Sequence, residues 1–317
     1  MCTLLLSLLK NYMGKASVGH ISMLVISILW GLIAPFSKTI FMQGYLDYIS
    51  LMWLRAGGAA IAFWIASLFV KKEKVGIRDL FLLFLASLCG IVFNQGLFLK
   101  GLSMTSTTNA TIITTTSPMF AMIIAAMYLK EPVTWKKVTG ILVGAAGALL
   151  LILNNETDSV GGNLTGDLIC LLSQISYSLY FVFFKPMTIR YSPVTMMKWI
   201  FLFATLVYIP ISYNSVLSVD FRTIPLEIHL DIAFIILGGT FIAYLLIPVA
   251  QKYLRPTVGV MYNYIQPIIA VLVAIWWGLD KFSVIKGVAV LLVFAGVYLV
   301  TRSKARVPDG TVSETVS

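Results

Sequence analysis

The chain alternates long apolar stretches with short polar breaks. Hydrocarbon about 30 Å thick requires about twenty apolar residues in a helix that rises about 1.5 Å per residue. Stretches of that length predict ten membrane-spanning helices, over residues 20–42, 49–70, 80–100, 106–129, 134–153, 167–186, 194–214, 231–252, 257–279 and 284–301. The connections between them are too short to hold a soluble domain, so we expect no extramembrane chemistry.

The second half of the chain repeats the first. Under an ungapped shift of 149 residues the matching pairs are Gly90 with Gly239, Thr108 with Thr257, Pro118 with Pro267, Lys137 with Lys286 and Gly147 with Gly296. A shift of 147 residues pairs Lys38 with Lys185 and places Trp30 on Tyr177. Fixed register of rare residue types predicts an internal duplication of five helices plus five.

Basic residues concentrate in alternate loops, which orients the chain because cytoplasmic loops carry the positive excess. The basic loops lie at 71–78, 130–137, 185–198, 252–255 and 302–306, whereas 154–167 holds acids and no base. The two halves should therefore enter the membrane from opposite sides, as an inverted repeat requires. The predicted order is a cytoplasmic segment 1–19, a first repeat 20–153, an external linker 154–166, a second repeat 167–302 and a cytoplasmic tail 303–317.

Composition supports lipid as the solvent of this chain. The residues are 59% hydrophobic and 11% charged, whereas soluble domains carry about 25% charged residues. The net charge of +10 is spread singly between apolar runs, so we expect no nucleic-acid binding. The three cysteines are far apart and the two histidines isolated, and no nucleophile stands beside a base. We predict no metal, no cofactor and no catalytic residue.

Arg55 is the main candidate for chemistry inside a span. A charged side chain at a helix centre costs about 2.5–3.5 kcal/mol on insertion scales, so a charge in that position indicates a function. Facing a cavity, Arg55 would bind a carboxylate through its planar fork. The alternative is that it extends to the outer headgroups. No acid lies in the middle of a predicted span, which favours neutral, zwitterionic or anionic substrates over lipophilic cations.

Amide and aromatic side chains are the remaining candidates for a binding site. Amides facing lipid without partners would be costly, so some should face inward. The predicted substrate-binding set is Trp30, Arg55, Asn94, Asn109, Tyr177, Tyr244, Tyr262, Asn263 and Gln266, with Gln95 and Gln174 as further amides. Each amide is equally well explained as a helix-to-helix bond, and each aromatic as part of the interfacial belt. Pro118 and Pro267 would kink equivalent helices and are predicted gating points, or else static bends.

An ordered series of residues resembles the drug/metabolite transporter superfamily, specifically the ten-helix EamA-type permeases, over about residues 20–302. The series comprises Leu29-Trp30-Gly31, Pro35-Phe36, Lys38, Trp53-Leu54-Arg55, Gly90, Asn94, Gly101-Leu102, Asn109-Ala110, Pro118, Leu129-Lys130-Glu131, Gly140 and Ala146-Gly147. The resemblance implies a permease, often an exporter of amino acids or other metabolites, with a central cavity between its halves. The second half departs from the pattern, since Tyr177 stands where Trp is expected and no Arg matches Arg55.

The sequence therefore predicts an all-α polytopic membrane protein of two inverted five-helix repeats. Its expected function is secondary transport of a small metabolite by alternating access across a bacterial inner membrane, with both termini cytoplasmic. The expected partners are that metabolite and the lipid bilayer, and a proton or counter-substrate is left open. The alternatives are a structural membrane protein and, with less support, a membrane-embedded enzyme acting on lipid or quinone.

Overall fold

The computed structural model describes residues 15–128, 133–153, 164–255, 258–259, 262–278 and 284–301, and these residues contain helices but no strand. We number the main helices α1 Lys15–Met42, α2 Tyr48–Ser67, α3 Ile77–Met104, α4 Thr107–Tyr128, α5 Trp135–Leu153, α6 Leu164–Phe183, α7 Pro193–Leu217, α8 Leu226–Tyr253, α9 Ile265–Trp276 and α10 Val284–Thr301. A single turn, Met187–Arg190, lies between α6 and α7. The all-helical class predicted from the sequence is confirmed.

Within the described residues, seven segments are long and apolar enough to cross a bilayer. They are the Ser17–Met42 part of α1 and the whole of α2, α3, α4, α6, α7 and α8. The remaining three predicted spans coincide with α5, α9 and α10, of which α9 is a shorter apolar helix. Each predicted position therefore holds a helix, while ten membrane crossings stay a prediction.

Helices α2, α4 and α7 begin where a polar side chain satisfies one of the first free N–H groups. Asp47 caps α2 by accepting a bond from the Ser50 N–H. Ser192 caps α7 through the Thr195 N–H, and Pro193 takes the first helical position, where its missing N–H is not needed. Such caps fix the ends of long apolar helices that have little periodicity of their own.

The duplication is visible in the helix bounds. The α-helical parts of α3, Ile77–Ser87 and Asn94–Met104, match Leu226–Ile236 and Ala243–Tyr253 of α8 under the shift of 149 residues. Between these parts, each helix contains a π-helical segment, Leu88–Phe93 in α3 and Leu237–Ile242 in α8. An irregularity repeated at the same register in both halves supports the duplication independently of residue identity.

The two halves interlock. Helix α1 packs against α8 and α9, and its counterpart α6 packs against α3 and α4. The first helix of each half thus lies against the third and fourth helices of the other half. Helices α2 and α7 pack together, as do α5 and α10. Any space enclosed by α1, α3, α4, α6, α8 and α9 is therefore lined by both repeats.

Equivalent lysines hold the ends of the third helices. Lys38 is half-buried and donates to the carbonyls of Leu102 and Thr105, where α3 ends. Lys185 donates to the carbonyl of Leu254, where α8 ends. Extension of Lys38 to the headgroups, which its position near a span end favours, is not what the structure shows. Unpaired carbonyls at a helix end inside a bundle need such a donor.

Candidate functional site

A small cavity of about 30 Å³ lies between the two repeats. Its lining comes from α1, α3 and α4 of the first half and from α6, α9 and the 3₁₀ turn before α9 in the second half: Trp30, Ile33, Asn94, Gln95, Phe98, Thr114, Gln174, Tyr177, Asn263 and Gln266. Five of the nine predicted substrate-binding residues are brought together here, namely Trp30, Asn94, Tyr177, Asn263 and Gln266. Gln95 and Gln174, the further predicted amides, also line it.

Amide groups around this cavity tie the halves to one another. Asn94 Nδ2 donates to the Ser173 carbonyl at 2.9 Å, and Gln95 Nε2 donates to Asn94 Oδ1 at 2.7 Å. Facing them, Gln174 Nε2 donates to Ser173 Oγ at 2.9 Å. The chain of bonds from α3 to α6 satisfies groups that would be costly in an apolar interior.

A second group of bonds approaches the cavity from the other side. Asn263 Nδ2 donates to Ser117 Oγ at 2.8 Å, and Gln266 Nε2 donates to Asn263 Oδ1 at 2.9 Å. Ser178 Oγ donates to the Ser117 carbonyl at 2.9 Å, which joins α6 to the same point. Ser117 thus receives bonds from both the α6 and α9 sides of the second repeat.

Aromatic residues form one wall, and the π-helical segments help to position them. Trp30 Nε1 donates to the carbonyl of Gly239 at 3.1 Å, and the Tyr244 hydroxyl donates to the carbonyl of Gly90 at 3.3 Å. Gly90 and Gly239 both lie within π-helical segments, a kind of irregularity frequent at functional sites. The Trp30 ring lies 5.7 Å from that of Tyr177 and 5.6 Å from that of Tyr244. Tyr244 therefore packs against the wall without lining the cavity itself.

Arg55 is buried in the protein interior, with 1% of its surface exposed, and does not line the cavity. Its Nε donates to Thr240 Oγ1 at 3.1 Å, whereas its two terminal nitrogens have no acceptor among the described residues. Tyr244 and Tyr208 are its polar neighbours. The alternative that Arg55 extends to the outer headgroups does not fit this burial. The guanidinium interacts electrostatically with Tyr244, whose ring packs on Trp30 at the cavity wall.

The other predicted residues lie away from the cavity. Asn109 is buried near the start of α4 and points its amide at Asp167 Oδ2, 3.5 Å away. Tyr262 bonds through its hydroxyl to His20 Nδ1 at 2.6 Å. Both contacts join a first-half element to a second-half element, but neither reaches the amide cluster.

Pro118 and Pro267 follow breaks in the helix rather than causing a kink at their own positions. A 3₁₀ turn, Thr114–Thr116, precedes Pro118, and the turn Tyr262–Tyr264 precedes Pro267. Each proline then lies in the first turn of the next α-helical part, where a missing N–H is tolerated. The interruptions are present at equivalent places in α4 and α9, and a gating role stays a prediction.

Asp167 is a buried residue whose burial the sequence does not indicate. The sequence places it at the start of the sixth span, and in the structure α6 begins at Leu164 and leaves the Asp167 side chain 5% exposed. An acid in a first helical turn ordinarily complements the helix dipole at the surface, so its position gave no signal of burial. The glycine before it, Gly166, was the available clue, since it allows α6 to approach α3 closely.

A larger cavity of about 630 Å³ lies elsewhere, beside α3, α4, α6 and the Met187–Arg190 turn. Its walls are largely apolar, with Arg78 and Arg190 among them, and none of the predicted site residues lines it. Binding sites combine apolar walls with a few convergent polar groups. The amide-lined cavity between the repeats fits that description better and is the candidate site.

Comparison with known proteins identifies related membrane proteins. The model of the EamA-like transporter family matches residues 17–153 and again residues 164–302. The uncharacterized transporter YyaM of Bacillus subtilis (strain 168) is 26% identical over 86% of this chain and 91% of its own length. The S-adenosylmethionine uptake transporter of Rickettsia bellii (strain RML369-C) is 25% identical over 58% of this chain and 60% of its own length.

Among the solved structures that match, one crystal structure has a TM-score of 0.66 and covers 90% of this chain and 96% of its own. The two sequences are 17% identical. At that distance the likeness supports the fold and carries no information on substrate.

Proposed function

Since the chain belongs to the EamA-like transporter family, and is thus a multi-pass membrane transporter, we propose that it moves a small carboxylate-bearing metabolite by alternating access between its two repeats. The metabolite is amino-acid-like or otherwise zwitterionic or anionic. The membrane is the bacterial inner membrane, with both termini cytoplasmic and the two repeats inverted, as the loop charges favour. The observation that carries the proposal is the amide-lined cavity that both repeats enclose.

The size of that cavity supports alternating access. About 30 Å³ accommodates about one water molecule, whereas small-molecule sites measure about 300–1,000 Å³. A metabolite can occupy the site only if α1, α3, α6 and α9 separate. The bonds that close it join different repeats: the Asn94 amide donates to the Ser173 carbonyl, and the Asn263 amide donates to the Ser117 hydroxyl. Relative movement of the repeats therefore breaks them.

The environment of Arg55 supports a substrate that carries a carboxylate. The two terminal nitrogens of the buried guanidinium have no acceptor within the described part of the chain, which leaves donors in a fixed fork that matches a carboxylate. Its neighbour Tyr244 packs on Trp30, so displacement of this aromatic pair would connect the guanidinium with the cavity. The relatives named as S-adenosylmethionine uptake transporters act on a molecule that bears an amino-acid group, which agrees with this class.

Transport into proteoliposomes tests the proposal. The probes are radiolabelled alanine, glutamate and S-adenosylmethionine. Alanine amide, in which a neutral amide replaces the carboxylate, is the comparison for each. We expect the wild-type protein to transport at least one carboxylated probe. Arg55→Ala should reduce that transport about tenfold or more, because a hydrogen bond to a charged group contributes about 1.5–3 kcal/mol.

Arg222→Ala is the control, because Arg222 is an exposed arginine in a loop. It should leave transport unchanged. Equal transport of every carboxylated probe by wild type and Arg55→Ala would refute the role of Arg55. A wild-type protein that moves none of the probes would refute the substrate class.

A further inference from the structure

Asp167 is the one acidic side chain that is buried among the residues the structure describes. It belongs to the first turn of α6, on the external side of the predicted topology. The proposed transport mechanism assigns it no role. A buried carboxyl group in a transporter is expensive and calls for a function.

Its partners are at the junction of α3 and α4, in the opposite repeat. Thr105 Oγ1, at the end of α3, donates to Asp167 Oδ1 at 2.7 Å. Asn109 Nδ2, near the start of α4, makes a longer contact of 3.5 Å to Oδ2. The carboxyl group therefore bridges α6 to the break between two helices that line the site.

The close approach of α3 and α6 holds this contact in place. A Cβ on Gly166 would lie 3.0 Å from the Gly101 carbonyl oxygen and 3.2 Å from Thr105 Cβ. With both glycines in place, no side chain separates the backbones beside Asp167. The carboxyl group is thus fixed against Thr105 rather than free to turn toward solvent.

No basic side chain of the described residues pairs with Asp167. Lys38, on α1, is engaged by the carbonyls of Leu102 and Thr105. Among the described residues, Cys170, one turn along α6, is a further titratable group that interacts with Asp167. Burial without a cation favours the protonated form, whereas the two donors favour the carboxylate. The opposing effects make the protonation state responsive to a change in conformation.

The equivalent contact at the other end of the molecule has different chemistry. Gly19 packs on Leu254 as Gly166 packs on Thr105, which places His20 where Asp167 stands. Leu254 has no hydroxyl group, and His20 instead bonds to the Tyr262 hydroxyl. Among the described residues, a buried carboxyl group at such a junction therefore occurs only at the α3–α4 junction, on the predicted external side.

We propose that Asp167 is a proton-binding site that couples proton movement to transport, an inference that rests on the proposed transport function. A proton from the external solution adds to the carboxylate, one O–H bond forms, and no electrons are exchanged. The neutral acid is a weaker acceptor, so the bonds from Thr105 and Asn109 weaken and α6 parts from the α3–α4 junction. Release of the proton to the opposite side of the membrane restores the carboxylate, its two hydrogen bonds and the closed contact.

Infrared difference spectroscopy of the lipid-reconstituted protein tests proton binding directly, without a substrate. On acidification, wild type should gain the carbonyl stretch of a protonated carboxylic acid that Asp167→Asn lacks. Asp231→Asn, which removes another external-side acid within a predicted span, should keep it. Thr105→Val retains the carboxyl group and should change the midpoint of this titration. An identical band in Asp167→Asn, or an unchanged midpoint in Thr105→Val, would overturn the proposal.

Two transport measurements, accumulation driven by a pH gradient and exchange at equal concentrations, test the coupling of proton movement to substrate transport. With radiolabelled alanine or S-adenosylmethionine, one proton per substrate allows up to about tenfold accumulation per pH unit of gradient. Asp167→Asn should retain exchange between equal internal and external concentrations and lose this accumulation, whereas Asp167→Glu and Asp231→Asn retain both. Accumulation by Asp167→Asn at the wild-type level overturns the coupling. Absence of any transport by wild type counts against the proposed function, while the infrared titration still decides the proton site.

Discussion

Replacement of Gly101 by alanine tests the close contact between α3 and α6. Gly101 lies where the two backbones meet, and a Cβ there would lie 2.7 Å from the Gly166 carbonyl oxygen and 3.0 Å from the Cys170 nitrogen, with Cys170 Sγ also too close. Ordinary contact begins at 3.4 Å, so the helices must separate by about 0.7 Å, from 2.7 to 3.4 Å, at this point. Two of these obstructing atoms, the Gly166 oxygen and the Cys170 nitrogen, belong to the backbone and cannot turn aside.

The expected cost follows from overpacking, which typically destabilises by about 1–3 kcal/mol. Alanine also gains about 1 kcal/mol of helix propensity over glycine. Gly57→Ala in α2 carries the same gain, and its Cβ would meet only Thr205 Cγ2 at 3.8 Å. The difference between the two variants therefore isolates the overpacking.

Thermal unfolding in detergent measures this difference. At about 2–4 °C per kcal/mol, the overpacking cost of about 1–3 kcal/mol should make Gly101→Ala unfold about 2–12 °C below Gly57→Ala. Because the same separation pulls Thr105 away from Asp167, the variant should also alter the infrared titration of the carboxyl group. Equal unfolding temperatures for the two variants would show that α3 and α6 are not in close contact, and the placement of Asp167 would lose its basis.

Two further predictions concern bonds between the halves. Burial opposes ionisation of Glu73, but hydrogen bonds from Thr195 and Ser192 and the charge of Lys198 outweigh it and lower the Glu73 pKa from its usual 4.5. The stabilisation by ionised Glu73 is thus fully present above pH 4.5 and is lost as the pH falls through the lowered pKa of Glu73 in the folded protein. The unfolding temperatures of wild type and Glu73→Gln should therefore converge as the pH is lowered from about 7 to about 3. Asn263→Ala removes hydrogen bonds that contribute on average about 0.6 kcal/mol each in membranes, so it should lower the unfolding temperature by only a few degrees. It should reduce transport of the carboxylated probe about tenfold. Equally small effects on the unfolding temperature and on transport would show that Asn263 is a packing residue only.

Much of the architecture was accessible from the sequence because lipid imposes a simple length rule and because duplication keeps rare residues in register. The pairs Gly90 with Gly239 and Pro118 with Pro267 predicted equivalent helices, and α3 and α8 have matching bounds. The family match confirms the resemblance predicted from the same residues.

The details of the candidate site depend on contacts between helices, which the periodicity of the sequence does not predict. Helical phase cannot say whether Arg55 lines the cavity or lies behind Tyr244, because both positions face the interior. The π-helical segments shift that phase further along α3 and α8, beyond what a regular 3.6-residue period predicts. Burial of Asp167 depends on how closely α6 approaches α3, which is decided by the small residues of two helices distant in sequence.

The paired π-helical segments have a mechanical consequence. A π turn contains surplus residues relative to an α turn, and an α-helix rotates by about 100° for each residue it gains or loses. Rewinding Leu88–Phe93 would therefore rotate Asn94–Met104 about its axis while Ile77–Ser87 stayed in place, and Leu237–Ile242 has the same effect on Ala243–Tyr253. The duplicated fold thus contains two points of axial rotation, one per repeat. Each π-helical segment contains a glycine whose carbonyl accepts a hydrogen bond from an aromatic side chain of the other repeat.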